Sequence, residues 1–265
     1  MPKVLDPIKN SVKGITDLWK DDVPDDYLED EEMSLLQHLE EIRSRIVKMA
    51  IALVMATAFA AIFATAIINL AKSPAPPSVQ WIFIDPTENF VTYFKVAIMT
   101  GIGIATPIFL WQIIRFVSPG LTRREKRLLF SMLPLVLFFF LLGAGFGYYV
   151  TLPFALRYLL TFGTDFASAA IRISSYITFV LTILLWMGIS FELPVIVYVL
   201  AALRIVTPQR LAGFRKYAIL LFFVLAAVIT PTPDPLNQAF VALPMIVLYE
   251  FGILMARTIK PPPPT

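Results

Sequence analysis

Six stretches of predominantly apolar sequence constrain this chain more than any other feature. A helix needs about 20 apolar residues to cross the hydrocarbon core of a bilayer, and most of the six are near that length. They run over residues 46–70, 91–114, 128–152, 175–203, 217–230 and 236–256. The sequence therefore predicts an all-α integral membrane protein with six transmembrane helices.

The last two stretches are shorter than the others. The stretch 217–230 has 14 residues, which as a helix reaches about 21 Å. The stretch 236–256 is interrupted by Asn237, Gln238, Pro244 and Glu250. Short helices are accommodated either by a locally thinned bilayer or by burial behind neighbouring helices, and the sequence leaves both alternatives open.

The composition excludes several classes of function. The chain is 58% hydrophobic and 15% charged, far from the values of a soluble domain. It has no cysteine and a single histidine, His38, so it lacks the ligands of a zinc or iron–sulfur site and has no thiol nucleophile. No HExxH or GxSxG motif is present, which argues against an intramembrane hydrolase. We expect no enzymatic activity, no cofactor or metal, and no nucleic-acid partner.

The charge is divided unevenly along the chain. Residues 1–32 carry four lysines and ten acids, a net charge of −6, whereas the remainder carries 18 basic and nine acidic residues, a net charge of +9. An acidic head on a basic, apolar body is typical of a solvated tail joined to a membrane domain. We predict an acidic, disordered extension over 1–32, a membrane domain over 33–259 and a proline-rich tail over 260–265.

The basic residues also predict the orientation of the chain, because cytoplasmic connections are enriched in lysine and arginine. With a cytoplasmic N-terminus, fourteen of the basic residues after residue 32 lie on the cytoplasmic side and four on the other side. Those four are Lys72, Lys95, Arg157 and Arg172. The sequence therefore predicts that both termini are cytoplasmic.

Small residues and prolines predict how the helices pack. Small residues recur at intervals of four in two of the stretches: Ala52, Ala56, Ala60, Ala64, and Gly143 with Gly147. Such faces predict close helix contacts, which we expect within the chain rather than with a partner. Four prolines interrupt the stretches: Pro107, Pro134, Pro194 and Pro244. Because each removes a backbone donor and bends its helix, we expect a curved wall of helices.

Two acids are expected at the cytoplasmic boundary of the membrane. Glu41 lies on a predicted amphipathic interfacial helix over 34–48, and Glu125 is the only acid of the basic loop 116–127. Together they would form an anionic patch for a cationic ligand, and guanidinium suits it because it pairs bidentately with carboxylate. The alternative is that each acid pairs only with its basic neighbours.

Two further acids, Glu192 and Glu250, lie within apolar stretches. An ionised carboxylate at membrane depth costs several kcal/mol unless it is paired or hydrated, so both are candidate functional residues. Alternatively, Glu192 is a neutral acid bonded to the Ser190 carbonyl that Pro194 frees, and Glu250 lies at the interface. A proton-coupled secondary transporter using both acids is a rival function, but the inverted repeats it predicts are not found.

Several short motifs are distributed along the chain: HLEEIRSR at 38–45, IDP at 84–86, ATPIFLWQ at 105–112, FVSPGLTRREKR at 116–127, FELP at 191–194, TPTPDPLNQ at 230–238 and LPMIVLYEFG at 243–252. Together they resemble the motifs of the TatC family, the multispanning subunit of the twin-arginine protein translocase. The resemblance covers residues 33 to about 259. It implies a concave, glove-like six-helix protein of the cytoplasmic (inner) membrane, which recognises folded cargo by a twin-arginine signal peptide. Export would be driven by the proton motive force, with no bond chemistry in this subunit.

The resemblance also implies roles for individual residues. Glu41 and Glu125 match the acids that receive the paired arginines of the signal peptide, and Arg43, Phe116 and Pro119 belong to the same surface. The loop reads TRREKR where a tyrosine and a histidine often precede the acid, so ligand contacts in this loop differ.

Four other positions match residues on the far side of the family's fold or on its concave face. Pro86 matches a proline of an outside loop and Asp234 an outside acid, while Glu192 and Gln238 match polar residues that engage partner subunits. The implied partners are twin-arginine signal peptides, single-span TatA/TatB-type subunits, other TatC copies and the lipid bilayer.

Overall fold

A computed structural model describes residues 35–77, 79–117, 121–161, 170–230 and 234–259. The predicted extension over 1–32, the predicted tail over 260–265 and Pro119 lie outside these residues.

The described residues are mostly helical. The α-helices are Leu35–Ile62 (α1), Ala64–Lys72 (α2), Glu88–Val117 (α3), Arg123–Phe146 (α4), Leu152–Thr161 (α5), Ile173–Phe191 (α6), Leu193–Ala202 (α7), Pro208–Gly213 (α8), Arg215–Ile229 (α9) and Pro235–Ala256 (α10). A π-helical turn, Gly147–Thr151, joins α4 to α5, and the two short strands are Gln80–Ile82 (β1) and Ala170–Arg172 (β2).

Five helical segments within the described ranges are long and apolar enough to cross a membrane. They are Leu39–Ile62, Glu88–Phe116, Glu125–Leu160, Ile173–Ala202 and Pro235–Ala256. They correspond to five of the six predicted stretches, and the last is longer than its polar residues led us to expect. The remaining stretch forms α9, whose 15 residues reach about 22 Å. The chain is therefore a multi-pass membrane protein, and the sixth crossing stays a prediction.

The interfacial helix predicted over 34–48, leading into the first apolar stretch, is over its described residues 35–48 the first part of α1. This helix runs without interruption for 28 residues into the first apolar stretch. Neither glycine nor proline occurs between Leu35 and Ile62, so nothing in the local sequence interrupts the helix. It ends only before Phe63, whose φ of −101° and ψ of 4° depart from helical values.

Most of the alanine ridge is buried within the chain. Ala56 and Ala60 of α1 and Ala64 of α2 are buried, while Ala52 is half-buried, and α1 packs along α3. A Cβ atom added to Gly101 of α3 would lie 2.8 Å from the Thr57 Cα atom. Only a residue without a side chain permits this approach of the two backbones, which confirms the prediction of packing within the chain for this ridge.

The glycine pair of the third stretch packs against α6. A Cβ atom on Gly143 would lie 2.5 Å from the Met187 carbonyl oxygen, and one on Gly147 would lie 3.1 Å from the Met187 Cβ atom. From the opposite side, a Cβ atom on Gly188 would lie 2.6 Å from the Phe140 ring. These contacts are again within the chain, so both predicted small-residue faces are explained without a partner helix.

The prolines do not all act alike. Helices α3, α4 and α10 continue through Pro107, Pro134 and Pro244. The fourth stretch instead divides at Glu192, where α6 ends, and α7 begins with Pro194 in its first turn. Proline is favoured in a first turn because its missing N–H needs no partner there. The curved wall expected from the prolines stays a prediction.

A short ribbon, which the sequence did not predict, joins the two long connections. Strands β1 and β2 pair in parallel, with Trp81 opposite Ile171 and Ile82 opposite Arg172. The Trp81 ring also packs on the Tyr176 ring at the start of α6. The ribbon ties the segment before α3 to the segment before α6.

An ion-pair cluster holds the ribbon to the start of α3. Arg172 donates through Nε to Glu88 Oε2 and through Nη2 to Asp85 Oδ2, both at 2.9 Å. Glu88, which is 4% exposed, also accepts the backbone N–H groups of Ile84 at 3.0 Å and Ser174 at 3.2 Å. The hydrogen bond from Arg172 to Glu88 raises the pKa of the arginine. One buried carboxylate thus joins three segments of the chain.

Candidate functional site

A pocket of about 460 Å³ lies where α1 begins and α3 ends. Its lining is mostly charged: Glu40, Glu41, Ser44, Arg45, Lys48 and Arg115. Two acids and three cations therefore surround this space. The pocket contains Glu41, one of the two acids predicted to bind a guanidinium group.

Glu41 is held by Arg45, one helical turn further along α1. Arg45 donates through Nε to Glu41 Oε1 at 3.1 Å, and its Nη2 contacts the same oxygen. The same guanidinium reaches α3, where it donates to Gln112 Oε1 at 3.5 Å and to the Arg115 carbonyl at 3.0 Å. Spacing of four residues places the acid and the arginine on one face of the helix. Arg45 therefore braces the Glu41 carboxylate against the end of α3.

The second oxygen of Glu41 is the unusual atom of this pocket. The side chain is 20% exposed, yet Oε2 is buried and has no hydrogen-bond partner among the described residues. A buried carboxylate oxygen without a donor is unfavourable. A ligand that brings an N–H group to this oxygen would remove that cost, and a charged donor would do so most effectively.

Glu125 has a different local role. It is the third residue of α4 and forms a capping box with Thr122. Its Oε2 accepts the Thr122 backbone N–H at 2.9 Å and the Thr122 hydroxyl at 3.0 Å, while its own N–H donates to Thr122 Oγ1 at 3.4 Å. Among the described side chains, the alternative of pairing with a basic neighbour is thus met for Glu41, whereas Glu125 bonds Thr122. The spacing Thr-x-x-Glu is the usual signal of a capping box, and we overlooked it in the sequence.

The predicted signal-binding residues lie at one end of the helices without forming one described cluster. Glu41 lines the pocket; Arg43 is exposed on α1 and Phe116 is half-buried at the end of α3. Glu125 begins α4 just beyond, and the residues that line the pocket do not include it. Pro119 lies outside the described residues. Gln112 and Arg115, which the sequence did not single out, contact the site through Arg45.

Glu192 is buried at the junction of α6 and α7. It is 4% exposed, and its Oε1 has no hydrogen-bond partner among the described residues. The alternative of a bond to the Ser190 carbonyl has no counterpart within the described ranges. The Ser190 hydroxyl donates to the Trp186 carbonyl instead. Glu192 thus combines burial with an unused acceptor.

Gln238 lies far from Glu192 along the helices. A Cβ atom on Gly252 of α10 would lie 3.0 Å from the Pro194 Cα atom, so Glu192 is level with this part of α10. Gln238 lies 14 residues before Gly252, about 21 Å along the helix axis. The two residues predicted for a partner-binding face therefore belong to different levels of the bundle.

The remaining predicted residues lie near helix ends. Asp234 is the N-cap of α10 and accepts the Asn237 backbone N–H at 2.8 Å. Pro86 is exposed in the turn between β1 and α3. Glu250 pairs with Arg215 through two contacts of 2.6 and 2.8 Å, with both side chains more than two-fifths exposed. Glu250 is thus an ion-paired acid, and the described residues include no group of three or more potential metal ligands.

The chain matches proteins of one family along most of its length. The sequence pattern of the family described as "Sec-independent protein translocase protein (TatC)" matches residues 37–244. The chain belongs to the TatC family. A protein of that name from Carboxydothermus hydrogenoformans is 41% identical over 235 residues, which cover 88% of this chain and 97% of the relative. Another from Aquifex aeolicus is 36% identical over 230 residues, which cover 85% and 95%.

Solved structures of TatC proteins share the fold. The structure described as "Crystal Structure of Twin Arginine Translocase Receptor- TatC" is 36% identical to this chain, superimposes with a TM-score of 0.76, and covers 83% of this chain and 98% of its own. A second structure of a TatC receptor, in DDM, is 37% identical, with the same TM-score.

Membership of the TatC family confirms the resemblance found in the motifs. This TatC-family chain is a multi-pass membrane protein with a role in a Tat translocase. The family pattern begins at residue 37, after the acidic head, and it spans Glu41, Glu125, Glu192 and Gln238. Its relatives are named as translocase proteins, which favours translocation over the small-molecule transporter.

Proposed function

We propose that this chain is the signal-peptide receptor of a twin-arginine translocase, and that Glu41 Oε2 accepts a guanidinium group of the signal. The single observation that supports this assignment most directly is that Glu41 Oε2 is buried and has no hydrogen-bond partner in the described part of the chain. The description of solved relatives as twin-arginine translocase receptors supports the same function.

Arg45 is a brace for the receiving carboxylate in this proposal. It uses Oε1 of Glu41 and also bonds Gln112 and the Arg115 carbonyl, so it limits the motion of the acid. A carboxylate has acceptor capacity on both oxygens. The signal arginine therefore binds Oε2 while Arg45 keeps Oε1.

A second acid is needed because the signal carries two arginines. The pocket alone has more cations than acids, so a doubly charged ligand gains little from it. Glu125 supplies the second carboxylate from the start of α4. Its described capping bonds use Oε2, which leaves Oε1 as its acceptor for the ligand. Arg43, Phe116 and Pro119 complete the surface.

The rest of the proposal concerns the membrane-spanning part of the chain, its partner subunits and the driving force for export. The apolar part of the signal lies along a concave wall of six spans, including α9, in a cytoplasmic membrane with both termini in the cytoplasm. Single-span TatA/TatB-type subunits and other TatC copies assemble with the chain, and the proton motive force drives export. Glu192, whose Oε1 is buried without a described partner, accepts a polar group of a partner helix. The partner-binding surface also includes Gln238, Pro86 and Asp234, at other levels of the helix bundle.

The test is crosslinking of a twin-arginine signal peptide to the chain in membranes. We expect the double variant Glu41→Gln, Glu125→Gln to lose the crosslink, because both receiving carboxylates are gone. Membrane insertion should be unchanged, since each replacement keeps the shape of the side chain. Glu250→Gln is the matched control, because it removes one paired surface acid elsewhere. Equal crosslinking by the double variant and the wild type would refute the assignment.

A further inference from the structure

A second cavity, of about 630 Å³, lies at the opposite end of the molecule from the Glu41 pocket. It is a groove between the start of α3, the first turns of α6 and the end of α9. Its lining includes Asp85, Glu88, Lys95, Arg172, Thr182 and Val228. The predicted signal contact does not use this groove, and the family resemblance assigns no role to its lining residues, although Asp85 belongs to the IDP motif.

The acids of the groove are already paired at its water-facing mouth. Glu88 accepts three hydrogen bonds, one of them from Arg172, and Asp85 accepts another from the same guanidinium. One cation thus serves two carboxylates, and Asp85 remains 62% exposed at its side chain. The mouth of the groove therefore carries an excess of negative charge.

Lys95 is the cation deeper in the groove. It lies seven residues after Glu88 on α3, which is about 10 Å further along the helix and on the same face. Within the described residues it has no ion pair or hydrogen bond. An unpaired ammonium group at membrane depth is costly, and lysine side chains reduce that cost by extending toward the interface. An anion held at this level of the groove would remove it.

The groove also offers hydroxyl groups and an opening to lipid. Thr178 and Thr182 line it one turn apart on α6. The Thr178 hydroxyl donates to the Ser174 carbonyl at 2.7 Å, and Thr182 has no described partner. The edge of the groove is apolar and exposed, with Val228 76% exposed, so in a membrane it faces acyl chains. The occupant that fits must be charged at one end and apolar at the other.

We propose that this groove binds a zwitterionic phospholipid with a primary ammonium group, from the leaflet beside the β1–β2 ribbon. The phosphate pairs with Lys95 and accepts from Thr182, the ammonium group lies beside Asp85, and an acyl chain runs past Val228. The separation of charge in the groove, negative at the mouth and positive below, matches a headgroup with its phosphate nearer the membrane centre. A lipid with net negative charge matches only the Lys95 half of the site, and a choline headgroup has no N–H to donate to Asp85.

The experiment measures which phospholipids stay bound to the purified full chain. The protein is exposed to an equal mixture of phosphatidylethanolamine, phosphatidylglycerol and phosphatidylcholine, and bound lipid is counted by native mass spectrometry. We expect wild type to retain phosphatidylethanolamine preferentially. Lys95→Gln should retain roughly tenfold less of it, because one charge-assisted contact to phosphate is lost. Asp85→Asn should keep lipid but lose the preference among the three headgroups.

Lys72→Gln is the matched control. Lys72 lies over the Trp81 ring at 5.5 Å and is not among the residues that line the groove. It should leave lipid retention as in wild type. An equal amount of phosphatidylethanolamine on Lys95→Gln and on wild type would overturn the proposal, as would a wild-type preference for phosphatidylglycerol. If Lys95→Gln lost co-purifying single-span subunits and kept its lipid, the groove would be a protein contact and the proposal would again fail. Thermal melting shows whether each variant is folded.

Discussion

The two ends of the molecule each carry an arginine–glutamate pair, and the two pairs differ in what they leave unused. At the ribbon end, Arg172 pairs with Glu88 across 84 residues of sequence, and the carboxylate accepts three hydrogen bonds. At the pocket end, Arg45 pairs with Glu41 four residues away, and one carboxylate oxygen is buried without a described donor. The first carboxylate is fully used in holding the fold, whereas the second retains capacity for a ligand.

The helices that carry the two pairs also differ in burial. In an apolar 18-residue segment of the α1 span, only 11% is buried inside the molecule, whereas in the corresponding segment of the span formed by α6 and α7 the buried share is 61%. The Glu41 pocket therefore lies on a helix with much free surface, while Arg172 immediately precedes the most enclosed helix. A binding site must be accessible to its ligand, whereas an ion pair that holds segments together is supported by a rigid neighbouring helix.

The largest expected effect is on signal binding by Glu41→Gln. A hydrogen bond to a charged group contributes about 1.5–3 kcal/mol, so affinity for a twin-arginine signal peptide should fall roughly tenfold to a hundredfold. The melting temperature should change little, because the amide oxygen still accepts from Arg45. Binding is measured by titration of a labelled peptide into the purified chain. Unchanged affinity would show that Glu41 does not bind the signal, and the proposed distinction between a ligand-binding Glu41 and a structural Glu88 would fail.

The reciprocal variant at the ribbon end is Glu88→Gln. Its amide NH₂ would face a backbone N–H or the Arg172 guanidinium, so at least one buried donor would lose its acceptor. We expect the melting temperature to fall by several degrees, with little loss of affinity for the signal peptide. Arg172→Lys is a useful companion, because lysine keeps the charge but cannot bond Glu88 and Asp85 as a fork. A melting curve like that of wild type would show that the cluster does not hold the ribbon.

A smaller effect is expected from Arg45→Lys. Lysine keeps the charge in the pocket but cannot contact Glu41, Gln112 and the Arg115 carbonyl together, so the receiving carboxylate becomes less well positioned. Signal affinity should fall roughly threefold to tenfold. If affinity rose instead, Arg45 would be a competitor of the signal arginine rather than a brace.

The smallest effect is expected from Glu250→Gln. Its pair with Arg215 is exposed on both sides, and exposed pairs contribute little to stability. Neither the melting temperature nor signal affinity should change measurably. A clear fall in the melting temperature would show that this pair stabilises the fold, as the Arg172–Glu88 pair does. A clear loss of affinity would show that it contributes to signal binding, as the Arg45–Glu41 pair does.

Much of the fold followed from patterns that are local in sequence. The helices of four of the six stretches have the expected spanning length, and the shortness of α9 is visible as a 14-residue apolar run, whereas the helix of 236–256 is longer than its polar residues indicate. The small-residue faces of 52–64 and 143–147 were also interpreted correctly as contacts within the chain. These features depend on helix rise and on residue size at fixed spacing, which neighbouring residues determine.

Other features were missed because they depend on segments that are distant in sequence, or because a nearby signal was overlooked. The pairing of Trp81 with Ile171 required two long connections to meet, and three-residue strands carry no periodic signal. The continuity of the amphipathic segment with the first apolar stretch, by contrast, is a local property, because no residue between them ends a helix. The capping box of Glu125 is present in the sequence as Thr-x-x-Glu, but the basic residues around it favoured an ion pair as its interpretation.

By itself, the sequence determined that this is a multi-pass helical membrane protein of the TatC family, because apolar length and short motifs are properties of contiguous residues. It also singled out Glu41 and Glu192 as candidate functional acids. Only the tertiary structure decided which oxygen atoms remain unused and which carboxylate is fully satisfied. Hydrogen bonds such as those of Arg172 and Arg45 form between groups whose distance is set by the packing of separate helices.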